Sequence, residues 1–262
     1  MKAAVCYEFG TPLVVEDVSI DEPHEGEVRV RLAATAICHS DLHLMHGDWA
    51  GGLPVVPGHE ASGVIAAVGS GVTSVAPGDR VVVSLLRSCG LCFQCTKGTS
   101  ELCEHPFALN TESRLRNARG DALTHGIRVA AFAEEVVVDQ SQVVSIPDGM
   151  PFDPAALLGC GVITGAGAVF NTARVAAEES VVIIGAGGVG LNAVQAAAIA
   201  GAAPIIAVDR LDAKLEAAVS FGATSTINST SLEPRDLARA VRRLTSGRGA
   251  DYAFVTVGWL MP

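Results

Sequence analysis

The chain has 262 residues, 49% of them hydrophobic and 18% charged, and a formal net charge of −10 at pH 7. That length allows one or two domains with a sizeable core, and the composition is that of a globular protein. The acidic balance and the lack of a basic run argue against a nucleic-acid or anionic-membrane surface.

Met1-Lys2-Ala3-Ala4-Val5 leads straight into Cys6, Tyr7 and Glu8, with no apolar signal region, so a cytoplasmic protein is expected. The seven cysteines are odd in number and six fall into patterns; in a reducing compartment, clustered cysteines more often bind metal than pair as disulfides. Up to about Ile146 the chain reads as short β-rich pieces. Val28 to Leu32 alternates Val-Arg-Val-Arg-Leu, and Val64 to Val68, Arg80 to Val83 and Glu135 to Val138 follow as strands, punctuated by Gly69, Pro77-Gly78-Asp79 and Asp139-Gln140. This is an all-β pattern of barrel or sandwich type.

Three groups of ligand-type residues lie in this region. Cys38-His39-Ser40-Asp41-Leu42-His43 and Gly58-His59-Glu60 are separate clusters of ligand type, each more often structural than catalytic when taken alone. Cys89, Cys92, Cys95 and Cys103 are spaced C-x2-C-x2-C-x7-C, which suits a closed tetrahedral structural zinc; the bacterial iron–sulfur run has a different last interval and a proline after its last cysteine. Cys160, in Gly159-Cys160-Gly161, reads as a buried thiol. Two cysteines and a histidine are also the ligand set of a catalytic zinc that keeps a fourth position open, although spacing alone does not bring Cys38, His59 and Cys160 together.

After Pro147-Asp148-Gly149 the character changes. Helical segments at Pro154 to Leu158 and Thr164 to Asn171 place a boundary near residue 155, giving domains 1–155 and 156–262. Val181 to Ile184 then reads as a buried strand, followed by Gly185-Ala186-Gly187-Gly188-Val189-Gly190, a helix from Leu191 to Ala200, and a strand from Ile205 to Val208 that ends on Asp209. Strand, G-x-G-x-x-G, helix, strand and terminal acid together form a dinucleotide-binding fingerprint. A membrane span is excluded by the glycines between 185 and 201 and by Asn192, Gln195 and Pro204. Asp209 would accept from a ribose 2′-OH and repel a 2′-phosphate, favouring NAD, with Arg210 and Lys214 softening the repulsion. A helix from Asp212 to Phe221, a strand from Thr224 to Ile227, a helix from Pro234 to Thr245 and a strand from Asp251 to Val257 complete four strands of a doubly wound sheet. Its usual order is 3-2-1-4-5-6, and the sequence stops at Trp259-Leu260-Met261-Pro262 before the last two.

The chain resembles the zinc-dependent medium-chain alcohol dehydrogenases. Gly58-His59-Glu60-x2-Gly63-x5-Gly69-x2-Val72 agrees with that family's zinc signature at every fixed position, and Cys38 to His43 with His46-Gly47-Asp48-Trp49 looks like the microbial primary alcohol dehydrogenases. The resemblance implies α/β plus β architecture: a GroES-like β-barrel catalytic domain followed by an incomplete Rossmann sheet of four strands. It implies two zinc ions, one catalytic under Cys38, His59 and Cys160 and one structural under the four-cysteine lobe, with NAD as cofactor. Glu60 would sit beside the catalytic zinc and compete as a ligand, and Asp41 would orient His59. Ser40 would take the alcohol proton and pass it through the nicotinamide ribose to His43. His39 would contact the pyrophosphate, Thr164 the nicotinamide, and the loop Gly185, Gly187, Gly188, Val189 and Gly190 the phosphates. Trp49 would favour short alcohols if it lines the pocket, the alternative being a plain core tryptophan. The expected reaction is reversible hydride transfer between a primary alcohol and NAD, a thiol-adduct (formaldehyde-type) dehydrogenase or an inactive zinc- and nucleotide-binding fragment being the alternatives. Partners would be a small alcohol or aldehyde, with no nucleic acid and no membrane. Full-length relatives of the family are homo-oligomeric. Lacking two strands, the chain by itself is expected to expose Asp251 to Val257 as an edge and to be a poor enzyme.

Overall fold

The structure, a computed structural model, describes residues 1–49 and 51–258. Contacts divide the chain into two compact units, Met1–Cys160 and a second that begins at Gly161. The sequence reading set the division near 155. The short helix Phe152–Leu157 stays with the first unit because Ser62 Oγ donates to the Phe152 carbonyl at 2.7 Å and the Arg80 guanidinium lies 3.9 Å over the Phe152 ring.

The first unit is built on an antiparallel sheet of β1 (Glu27–Ala36), β2 (Glu60–Val68), β3 (Arg80–Val83), β4 (Glu135–Asp139) and β5 (Val143–Ser145), in the order β4-β1-β2-β3-β5. Alternation explains its core: Val28, Val30, Ile65, Val81, Val83, Val136 and Val138 point inward to one cluster, while Arg29 and Arg31 point away. Burying each such side chain stabilises the fold by roughly 1.5–3 kcal/mol. Both long strands outrun their predicted lengths. The extra residues of β1, up to Ala36, and the first of β2, Glu60 to Gly63, are small or polar and carry no hydrophobic alternation, yet they pair, Ala36 opposite Glu60. That pairing brings the chain entering Cys38 beside the chain leaving His59. Register shifts within β1 bend the sheet there. Short ladders join Lys2–Val5 to Val14–Asp17, Ser19–Ile20 to Leu115–Arg116, and Val55–Val56 to Thr124–His125. Arg114 donates from two nitrogens to the buried carboxylate of Glu27, at 2.7 and 2.9 Å.

The second unit is a parallel sheet of β6 (Val181–Ile184), β7 (Ile205–Asp209), β8 (Ser225–Asn228) and β9 (Tyr252–Val255), in the order β8-β7-β6-β9. This is the 3-2-1-4 order expected from the sequence. Val181, Ile183, Ile205 and Ala207 face the helix Gly188–Ile199 with Ala193, Val194 and Ala197. Val182, Ile206 and Val208 face the opposite way, onto Val241 of the helix Pro234–Leu244. Such two-sided covering is why these strands read as uninterrupted apolar runs. Among the described residues no helix is long and apolar enough to cross a membrane.

Candidate metal centres and nucleotide loop

Cys38 is the N-cap of helix α1 (His39–His46) and keeps extended backbone angles there, φ −101° and ψ 155°. The third residue of α1, Asp41, is fully buried and acts as a hub: its carboxylate accepts from the Cys38 N–H at 2.9 Å, the Gly58 N–H at 3.0 Å and His59 Nδ1 at 2.9 Å. A histidine anchored through Nδ1 has only Nε2 left for other work. That Nε2 is buried and has no hydrogen-bond partner. One ligand atom from each of Cys38, His59, Glu60 and Cys160 lies within 4.8 Å of the others. The electrostatics are correspondingly perturbed. Cys160 and then His59 hold the Cys38 thiol down at about 3. Burial and then the Cys38 thiolate push Glu60 up to about 7. Burial opposes protonation of His59, but Asp41 and Cys38 outweigh it and raise it to about 9. Two cysteine sulfurs, a carboxyl group and an unpartnered imidazole nitrogen converging in one buried place fit a divalent cation.

The same helix carries His39, Ser40 and His43. The Ser40 hydroxyl and main-chain N–H both help to stabilise the Cys38 thiolate. His43 is half-buried; its Nδ1 lies 2.7 Å from Asp48 Oδ2, and its ring stacks on Trp49 with centroids 5.6 Å apart and meets His39 edge-on at 5.0 Å. Trp49 is 44% exposed, which rules out the plain core tryptophan.

The second cluster is local. Cys89, Cys92, Cys95 and Cys103 bring their sulfurs within 4.8 Å of one another around helix α2 (Phe93–Lys97), with Cys92 as its N-cap. Cys92 and Cys103 Sγ are 3.8 Å apart, Cys89 and Cys95 Sγ 4.0 Å. Four sulfurs around a zinc at about 2.3 Å would lie about 3.8 Å apart, so the lobe fits that ion in its folded form. Main-chain N–H groups already point at it: Leu91 and Cys92 donate to Cys89 Sγ, and Cys89 donates to Cys103 Sγ. The N–H groups of Glu104 and Cys95 hold the Cys92 thiol at about 6. Among the described residues no cysteine is paired in a disulfide.

In the second unit, α4 (Gly161–Gly167) carries Thr164, and the glycine loop joins β6 to α5 (Gly188–Ile199), which opens at Gly188-Val189. Gly185 has φ 101°, and a Cβ on Gly190 would collide with the Gly185 carbonyl; the first turns the chain and the second seats the helix on its strand. A Cβ on Gly187 would meet nothing within 4 Å, leaving that backbone open to a ligand. The loop is closed by two side chains. Asp209 Oδ2 accepts from the Ala186 N–H at 2.8 Å while Oδ1 accepts from Arg210 and Leu211 at 2.7 and 3.1 Å. Lys214 Nζ is 4.0 Å away. Burial raises the Asp209 pKa, but these donors and Lys214 outweigh it and hold it below the usual carboxylate range. Thr256, just beyond β9, donates to the Gly185 carbonyl at 2.7 Å and approaches the Ile184 carbonyl at 3.1 Å. Nothing in the local sequence pattern ties residue 256 to residue 185, so this contact leaves no signal in the sequence.

Residues 24–148 match the alcohol dehydrogenase GroES-like domain and residues 188–260 the zinc-binding dehydrogenase family. The chain belongs to the zinc-dependent medium-chain alcohol dehydrogenases, zinc-dependent alcohol oxidoreductases with a GroES-like domain and a Rossmann sheet. It is 41% identical to the NDMA-dependent alcohol dehydrogenase of Amycolatopsis methanolica, covering 98% of this chain and 70% of that one. It is 37% identical to the S-(hydroxymethyl)glutathione dehydrogenase of Saccharomyces cerevisiae, covering 98% and 69%. Among solved structures, an alcohol dehydrogenase zinc-binding domain protein from Burkholderia ambifaria superposes with a TM-score of 0.91 at 38% identity, over 98% of this chain and 70% of that one.

Proposed function

We propose that this protein interconverts a primary alcohol and its aldehyde with NAD, using a zinc ion held by Cys38, His59 and Cys160 and a structural zinc held by Cys89, Cys92, Cys95 and Cys103. The observation that carries the reading is the buried, unpartnered Nε2 of His59 among Cys38, Glu60 and Cys160. Zinc in that place would act as a Lewis acid toward the alcohol oxygen. Asp41 fixes the His59 ring so that Nε2 is presented to the ion, and Glu60 stands by as a fourth donor. Ser40, beside Cys38, accepts the hydroxyl proton, and His43, steadied by Asp48, hands it on toward solvent. Bound NAD would supply the hydride acceptor, so that alcohol and NAD would give aldehyde, reduced cofactor and one proton. The glycine loop and the N-terminus of α5 hold the phosphates. The Asp209 carboxylate has acceptor capacity left for a ribose hydroxyl and would repel a 2′-phosphate.

The test is turnover of the purified chain on a primary alcohol, with NAD or NADP, together with elemental analysis. Expected are two zinc ions per chain, one after Cys103→Ser, and a preference for NAD of about ten-fold or more, roughly 1.4 kcal/mol, narrowed in Asp209→Gly. Iron in place of zinc, or equal binding of both cofactors, would overturn the corresponding part. The names of two relatives favour a second reading: a hydroxymethyl-thiol adduct as substrate, or turnover only in the presence of NDMA. Assays with that adduct, and with and without NDMA, decide between them.

A further inference from the structure

The first unit contains a cleft of about 460 Å³ between the segments 109–113 and 122–128. Its polar lining includes donors that lack acceptors. Arg128 lines it with a side chain that has neither an ion-pair nor a hydrogen-bond partner among the described residues. Behind Arg128 lies Arg87, 2% exposed, whose guanidinium donates only to neutral acceptors: Gln142 Oε1 at 2.6 Å, Asn110 Oδ1 at 2.9 Å and the Arg128 carbonyl at 2.9 Å. Because Asn110 gives its carbonyl oxygen to Arg87, its amide group is left to donate toward other partners. His125 also lines the cleft. Its Nε2 accepts from the Arg114 N–H at 3.3 Å, which puts the ring proton on Nδ1, and Nδ1 is buried without a partner. Burial, Arg87 and Arg114 hold this histidine at about 4, so it is a neutral donor at neutral pH. Of the acids nearby, Glu112 is already paired with Arg114 at 2.8 Å, and Glu27 takes Arg114 with both oxygens.

The turn that presents Arg128 is strained. Ile127, Arg128 and Ala130 have φ of 47°, 65° and 66°, a region that side-chain-bearing residues seldom occupy. Arg87 and Gln142 hold it by donating to the Arg128 carbonyl. Strain of this kind costs of order 1–3 kcal/mol for each residue and concentrates where a ligand is gripped. A buried guanidinium without a carboxylate and an orphaned buried N–H are costly unless an acceptor completes them, and Arg128 beside them is exposed and free to take one.

We infer that this cleft is a binding site for a small oxyanion, a carboxylate or phosphate group, held by Arg128, the Asn110 amide and His125 Nδ1–H and favoured by the charge of Arg87. None of the residues that line the cleft is among those assigned above to the zinc ions or the nucleotide.

The test titrates the full chain with inorganic phosphate and, separately, with acetate, at constant ionic strength, by calorimetry and by NMR of the histidine side chains. Saturable binding is expected, with a shift of the His125 Nδ1–H signal. Arg128→Gln should weaken it about ten-fold or more, the worth of one charge-assisted hydrogen bond. Gly187→Asp, which blocks the anion-binding start of α5, should leave it intact. The tighter of the two anions identifies the headgroup. Binding that survives in Arg128→Gln and vanishes in Gly187→Asp would place the anion on the glycine loop and overturn the proposal. So would the absence of saturable binding by either anion.

Discussion

At the scale of single residues, Asp41 ties together the cluster of Cys38, His59, Glu60 and Cys160. Three donors from two separate stretches converge on its two oxygens, and it has no exposed surface. Asp41→Asn keeps the shape but removes the charge and leaves an N–H₂ facing at least one of those donors. The expected cost is about 2–4 kcal/mol in stability and a loss of about 10–100-fold in metal affinity at His59. Chemical denaturation and zinc competition with a chelator measure the two effects; wild-type values for both would mean that Asp41 does not orient the ligand. The four-cysteine lobe could be read from the sequence because its ligands lie on one short loop, where the tetrahedral geometry of the ion dictates the spacing. The Cys38, His59 and Cys160 set could be read only through family resemblance, since folding, not spacing, brings those residues together. The pairing of Arg114 with Glu27, 87 residues away, left no local trace at all.

At the scale of elements, the strands Arg80–Val83 and Val181–Ile184 have the bounds their patterns predict, while the two long strands extend past theirs at the ends that meet near Cys38 and His59. The pairing of Ala36 with Glu60 is made by small and polar residues whose pattern carries no period, and it is this extension that brings Cys38 and His59 side by side. The helix expected from Thr164 to Asn171 likewise departs from its pattern. α4 ends at Gly167 and continues as a wider π-type turn over Ala168–Ala173, closed by Arg174 at φ 55°. A side chain in that region costs about 1–2 kcal/mol, partly offset by the greater freedom glycine has when unfolded. Arg174 is exposed, so Arg174→Gly should stabilise by about 0.5–1 kcal/mol net, read as a higher midpoint of thermal or denaturant unfolding. A lower midpoint would show that the arginine has a compensating contact. The glycine loop gives the complementary case. Thr256→Val keeps the volume that packs against Gly190 but removes the bonds to the Gly185 and Ile184 carbonyls. The expected loss is about 1–2 kcal/mol, with weaker nucleotide binding because the loop is less firmly held. Unchanged nucleotide affinity, with stability reduced, would confine Thr256 to a structural role.

At the scale of the whole molecule, the perturbed groups away from the metal ligands make stability fall on the acid side, in two separable stages. Glu27 is raised by burial but lowered further by Arg114 and the His24 N–H, so its folded value lies below the ordinary 4.5. Asp209 likewise lies below 3.8. For both, the stabilisation is complete above the unfolded value and disappears as pH falls through the folded one. His125 acts earlier. Its folded value of about 4 against 6.5 for an open chain means that the unfolded protein takes up the proton first, so stability declines as pH falls from about 6.5 to about 4. The groups facing that ring are Arg87 and Arg114, which oppose protonation, and Glu27, which favours it but is committed to Arg114. The full difference corresponds to roughly 3 kcal/mol. Acid release of zinc would add its own slope in the same range, so a comparison between variants is needed to isolate the histidine. His125→Gln retains a carbonyl to accept the Arg114 N–H but cannot take up a proton. It should flatten the decline of stability between pH 6.5 and 4, measured by denaturant titration at several pH values, and should leave the slope below pH 4 as it was. Parallel curves for the two proteins across the upper window would mean that the His125 ring is protonated as readily in the fold as outside it.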